Sequence, residues 1–248
     1  MRKFATLALL TLAATLPTPR PAEARIIGRG AEISIGRETA SMVEEFFVVD
    51  KDPAAVARVR GIGRRLAATV KDADFPFEFH VVESAEVNAF ALPGGFIYVF
   101  RGLLQLVPND DALAFVLAHE ISHVTRRHSM RQFEKNLLLS AGITAILSGT
   151  GTGGGVGTAA QVAQTVASLS FTRHDETDAD VHGIETLTRA GYNPRSAVEA
   201  MMLVKRAGGD GKGIPALLRS HPAPDSRIKK LTEMGNALLA RRTAERST

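Results

Sequence analysis

The residues of this 248-residue chain best suited to chemistry are His119-Glu120-Ile121-Ser122-His123. They read H-E-x-x-H inside a stretch with helical periodicity. Residues four apart on an α-helix share a face, so the two imidazoles can reach one metal ion. Glu120 then projects beside that ion, where a carboxylate can hold a water and accept its proton. This is the arrangement of a zinc-dependent hydrolase. A catalytic zinc takes three protein ligands and keeps one position open. The third ligand is expected from a second helix, and Glu176 and Asp180 answer that need. They also lie four apart, as E-x-x-x-D. Glu176 can serve as ligand while Asp180 accepts a hydrogen bond from a ligand imidazole and fixes its tautomer. A purely structural zinc site fits less well, because such sites are closed by four ligands and have no use for Glu120.

The remaining histidines test this selection. If the helix continues, His128 stands about 140° around the axis from His123 and leaves its face. His174 and His182 rotate away from Glu176, and His80 opposes the apolar side of a strand. These four are expected to be surface or structural residues.

Several elements must position the motif. Pro53 opens a helix with Val56, Val59, Ile62, Leu66 and Val70 at helical spacing. Phe77, Phe79 and Val81 alternate with Glu78 and His80 as a strand. Val87 to Leu92 is a second extended run, broken by Pro93-Gly94-Gly95, and Phe96 to Phe100 is a third. Asn109-Asp110-Asp111 starts the motif helix. Its buried side is marked by Leu113, Val116, Leu117, Ile121 and Val124, and it is expected to run past His128. A further helix spans Thr172 to Ala190 and stops at Gly191. Another runs from Arg195 to about Arg206, before a Gly-rich loop at 208–213. His221-Pro222-Ala223-Pro224 stiffens a turn before the last helix. Residues 25–40, polar and Gly-containing, are read as a loosely packed lead-in. Residues 137–170 are apolar and Gly-rich and read as a helical hairpin. The hairpin is either a buried pair of core helices or a mobile lid, with peripheral membrane contact as part of the second reading. The expected fold class is α+β, mainly helical, with a small sheet packed beside the H-E-x-x-H helix.

Composition sets the outer bounds. At 45% hydrophobic and 23% charged residues, the chain can build a real core. It has no cysteine, which excludes disulfides, thiolate ligands, a Cys nucleophile and a lipoprotein-type acyl anchor. Arg2 and Lys3, the apolar run Phe4 to Leu16, and Ala22-Glu23-Ala24 read as a cleaved secretory signal over residues 1–24. The mature domain would then be 25–248, with its core at about 35–235, and a periplasmic location is expected. Removing Arg2, Lys3, Arg20 and Glu23 lowers the formal charge from +4 to +2. That balance, without an aromatic-basic pattern, argues against nucleic acid as a partner.

The chain also resembles a known family. His119-Glu120-x-x-His123, with Arg173-His174-Asp175-Glu176-Thr177-Asp178-Ala179-Asp180 downstream, looks like the gluzincin metallopeptidases of the HtpX and CAAX-prenyl-protease family. Thr172 and Asp178 stand where Ser and Glu are usual there. Asn88 to Gly95, Arg101-Gly102-Leu103-Leu104, Ala190 to Pro194, and Ser220-His221-Pro222 with Arg227-Ile228 extend the likeness over about 35–235. Within that family the soluble secreted branch, BepA-like but without its repeat domain, is the nearest match. The resemblance implies a zincin-like fold, one zinc per chain, and an endopeptidase for unfolded or misassembled envelope proteins. Substrate would lie as an extended strand along Asn88, Ala89, Phe90 and Ala91, paired through the backbone. The alternative is a chaperone or assembly factor that uses the same groove with little turnover. For His221 the resemblance supports two roles. It can take the open zinc position and keep the site latent, which is the favoured role, or it can donate to the oxyanion during attack.

Overall fold

The computed structural model describes residues 27–70, 74–132, 134, 170–209 and 214–246. The expected signal segment at 1–24, the hairpin at 137–170 except Ser170, and most of the 208–213 loop lie outside these residues.

A three-stranded sheet stands at the centre of the N-terminal half: β1 (Glu78–Val82), β2 (Ala89–Ala91) and β3 (Phe96–Phe100). The order is β1-β3-β2. β1 runs parallel to β3 with Phe79 opposite Ile97, and β2 runs antiparallel to it with Phe90 opposite Tyr98. Every residue of β3 is buried, so both faces of the sheet need cover. Ile97 and Val99 belong to the main core, with Val59, Ile62 and Leu66 of α2 (Pro53–Ala67) and the apolar side chains of α4 (Asp110–Thr125). Phe96, Tyr98 and Phe100 face the other way and meet Ala40 and Val43.

Those two residues belong to α1 (Arg29–Phe46), an 18-residue helix where a loose lead-in was expected. Its buried side is Glu32, Gly36, Ala40 and Val43, at helical spacing but with only two ordinary apolar members. The pattern therefore escapes a reading based on hydrophobicity. Gly36 is there for clearance: a β-carbon would fall 1.9 Å from the Pro93 carbonyl oxygen. Glu32 is buried because Arg127 Nε lies 2.9 Å from its carboxylate.

The expected helix starts hold. Asp52 accepts from the Ala54 N–H before Pro53, and Asn109 accepts from the Asp111 N–H at 2.8 Å. Thr172 and Asp175 form a reciprocal capping box at the head of α5 (Arg173–Arg189). α3 (Arg101–Leu106) links β3 to α4, and α4 is buried along its length from Ala112 to Val124. It packs on α5, α2, the sheet and α6 (Ser196–Gly209). The short α7 (Ala216–Ser220) and long α8 (Asp225–Arg246) follow α6. No described helix is long and apolar enough to cross a membrane. The architecture is mainly helical with a small mixed sheet, as the fold class anticipated.

Candidate metal centre

α4 carries His119 and His123 one turn apart, and α5 crosses beside them. The approach is close because Gly183 has no side chain: a β-carbon there would lie 3.2 Å from the His119 backbone nitrogen. The α5 face that results presents both Glu176 and Asp180 to α4, as their spacing predicts. The turn after α7 brings in His221. Four donor atoms then converge. His123 Nε2 lies 3.0 Å from His119 Nε2, which lies 3.3 Å from His221 Nδ1. His221 Nδ1 is 2.8 Å from Glu176 Oε1, and that oxygen is 3.5 Å from His123 Nε2. One ligand atom from each of the four residues falls within 4.8 Å of the others, and all four residues are buried.

These contacts are nitrogen lone pairs and a carboxylate facing one another out of water. Two imidazole nitrogens can share only one proton, so no single protonation state satisfies the whole set as well as a cation would. The donor set of three imidazoles and one carboxylate fits a divalent metal of borderline softness. Glu120 gives a second indication. Both of its carboxylate oxygens are buried without a hydrogen-bond partner among the described residues, with His221 Nε2 at 3.6 Å. Such a group is costly unless it has a task. Burial pushes the Glu120 carboxyl above its usual range. Burial would do the same to Glu176, but His221 and His119 beside it outweigh that and hold it well below its usual range. His119 is driven down by burial and up by Asp180 and Glu176. The carboxylates win, leaving it at about 9. His123 is pushed far down by burial and by the neighbouring His119.

Around the donors stands a brace that sequence spacing reveals only in part. His119 Nδ1 lies 3.1 Å from Asp180 Oδ1. Arg227 of α8, only 7% exposed, donates to both Asp180 oxygens at 2.7 Å and to Glu176 Oε2 at 2.5 Å. The sequence contains Arg227 as part of a resemblance but gives it no task. A buried arginine is reported only by its partners. Phe171 is a second residue missed, its ring 4.0 Å from that of His123, centroid to centroid.

His128 corrects an expectation. The motif helix does not continue past it. It ends at Thr125, and Arg127 takes a left-handed backbone with φ of 57°. The turn swings His128 back to His123, with their Nδ1 atoms 3.1 Å apart. His128 is therefore not off the face, as it would be on an unbroken helix. Burial pushes it down to about 4, against the Asp175 carboxylate. The other three behave as anticipated. His174 is exposed, the Nδ1 of His182 lies 2.8 Å from the Asp178 carbonyl oxygen, and His80 stacks on Tyr98.

Ala89, Phe90 and Ala91 form the edge strand and Asn88 directly precedes it, but the side chains of all four are buried. The outer edge is also partly taken. The Leu217 N–H donates to the Val87 carbonyl, and the Ser129 hydroxyl donates to that of Ala91. Ala89, between them, has no such outward partner among the described residues. An apolar recess opens beside Glu120, bounded by Phe115 and Val116 of α4, Met201 and Val204 of α6, and Leu217.

The chain is 32% identical to the beta-barrel assembly-enhancing protease of Yersinia pestis over 87% of its own length and 47% of that protein. It is 28% identical to the Escherichia coli K12 protein of the same name, over 90% of this chain and 48% of that one. The mitochondrial metalloendopeptidase OMA1 of Schizosaccharomyces pombe is 30% identical over 73% of this chain and 54% of its own. The chain spans about half the length of these relatives. Residues 53–235 match peptidase family M48. The chain belongs to peptidase family M48.

Proposed function

We propose that the chain is a zinc-dependent endopeptidase of the cell envelope that degrades misfolded or misassembled membrane or periplasmic proteins. The observation that supports this best is the buried convergence of His119, His123, Glu176 and His221 beside the Glu120 carboxylate, which has no hydrogen-bond partner among the described residues. In this reading His119, His123 and Glu176 hold the zinc, and the ion supplies Lewis-acid polarisation of the scissile carbonyl and an acidified water. Glu120 takes the proton of the attacking water and passes it to the leaving amine. Asp180 keeps the His119 ring turned so that Nε2 faces the centre. The recess beside Glu120 would seat an apolar side chain next to the scissile bond. The backbone of Ala89 would pair with an extended substrate, and longer pairing would require Leu217 and Ser129 to give way. The names of the bacterial relatives, proteases that enhance beta-barrel assembly, support substrates among proteins of that assembly. A signal at residues 1–24, a periplasmic location and the soluble HtpX-related branch complete the proposal.

His221 stands in the fourth donor position, which favours a latent site opened by movement of the α7 turn. That same closure supports a second reading, a chaperone that holds clients with little turnover. Zinc analysis with casein digestion, with and without a chelator, tests the first reading. Glu120→Gln should keep stoichiometric zinc and lose proteolysis, while His119→Ala, His123→Ala and Glu176→Ala lose the metal. If Glu120→Gln retains function in envelope-protein assembly, the chaperone reading holds instead. His221→Ala should raise casein cleavage if the residue is a latch. A fall of about 10²–10³ in turnover with zinc intact would make it an oxyanion donor.

A further inference from the structure

The second imidazole of the motif has a neighbour that the proposed reaction leaves unused. Nε2 of His123 faces the donor cluster, while its Nδ1 faces the opposite way and meets Nδ1 of His128 at 3.1 Å. His128 is 2% exposed. Its Nε2 lies 3.2 Å from Asp178 Oδ2, with Asp175 farther off at 3.7 Å. Arg126 holds Asp178 in turn, donating at 2.6 Å from Nε and 3.3 Å from Nη2.

These contacts have a direction. His123 can offer a lone pair from Nε2 only if its proton sits on Nδ1. That N–H then donates to His128 Nδ1, which must be the bare nitrogen of a neutral ring. The proton of His128 therefore sits on Nε2 and donates to Asp178. One arrangement of protons satisfies every contact from Arg126 to the donor cluster.

We propose that His128 is a positioning residue for the metal, fixing the tautomer and ring orientation of His123, with Asp178 and Arg126 holding His128 in turn. The proposal rests on the zinc-site reading above. Metal-bound imidazoles are ordinarily backed by a carboxylate, a carbonyl or water, and removing such support weakens metal binding about 10–100-fold. Here a second imidazole is inserted between the ligand and the carboxylate. The merely structural account is that His128 fills space beside the Phe171 ring. That account needs the shape of the ring but neither of its nitrogens.

The experiment is zinc affinity, measured by competition with a chromogenic chelator. Thermal unfolding of the zinc-free protein is followed in parallel. The proteins are the wild type, His128→Phe, His128→Asn, Asp178→Asn and the double variants. His128→Phe keeps the bulk and loses both nitrogens, and should weaken zinc about 10–100-fold. His128→Asn can accept from His123 through Oδ1 and should recover much of that loss. Asp178→Asn should cost a few-fold alone and almost nothing more when added to His128→Phe, because Asp178 acts through His128. Wild-type affinity in His128→Phe, or fully additive losses in the double variant, would overturn the proposal. So would a fall in zinc-free stability with affinity unchanged. If His128→Phe does not fold, His128→Asn combined with Asp178→Asn carries the same test of additivity. A wild type that binds no zinc would overturn the zinc reading itself, a result that no comparison among the His128 variants can imitate.

Discussion

His119 and His123 sit one turn apart on the same helix, yet their surroundings differ in kind. The outer nitrogen of His119 meets a carboxylate directly, Asp180 at 3.1 Å, and Arg227 grips that carboxylate from the dry space between α5 and α8. The outer nitrogen of His123 reaches a carboxylate only through His128, and the arginine at the far end, Arg126, has its side chain 34% exposed. Both routes end in an arginine–aspartate pair of similar length. The difference is the medium around it. A pair in water is screened and replaceable, whereas a buried pair that loses one partner strands a charge.

The largest expected effect follows from that contrast. Arg227→Met leaves the carboxylates of Glu176 and Asp180 buried without their cation. It should cost the zinc-free protein about 3–5 kcal/mol in chemical denaturation. Arg126→Met removes a partly exposed partner and should cost about 0–1 kcal/mol. Equal losses from the two variants would break the comparison. Metal binding sharpens it further. Asp180→Asn loses the carboxylate that faces a ligand imidazole directly and should weaken zinc about 10–100-fold. The few-fold loss proposed for Asp178→Asn is smaller because the intervening imidazole can still donate to the amide oxygen. If the two aspartate variants matched in chelator competition, the interposed ring would be doing nothing to insulate His123.

The two routes also differ in how far the sequence discloses them. Glu176 and Asp180 are legible because α5 is a regular helix over Arg173–Arg189, so a spacing of four translates directly into a shared face. His128 is not legible by the same rule, because the rule assumes an unbroken helix. Nothing in Thr125-Arg126-Arg127 is a glycine or proline, and the break shows only in the positive φ of Arg127. The fold divides likewise. The strands at 78–82, 89–91 and 96–100 follow from alternation and from Pro93-Gly94-Gly95. α1 hides because its inward side includes a glycine and a paired glutamate. One signal could have exposed it. A strand reading Phe-Ile-Tyr-Val-Phe is apolar on both faces, and a sheet buried on both faces requires a layer on each. His221 stood between these cases: its proline-stiffened turn was visible, but its distance from Glu176 depends on how α7 folds back.

The smallest expected effect tests the break that separates the two routes. A residue with a β-carbon pays about 1–2 kcal/mol in the left-handed region, and glycine does not. Glycine gives some of this back through its freer unfolded chain, about 0.5–1 kcal/mol. Arg127→Ala and Arg127→Gly lose the same partner, the buried Glu32 carboxylate at 2.9 Å, so that loss cancels between them. What remains is the backbone. Arg127→Gly should be more stable than Arg127→Ala by about 1 kcal/mol or slightly less, measured by denaturant midpoint at constant slope. It should also hold zinc at least as tightly, since the turn that aims His128 at His123 is then formed without strain. Equal stability of the two variants would mean that the left-handed turn at Arg127 carries no strain.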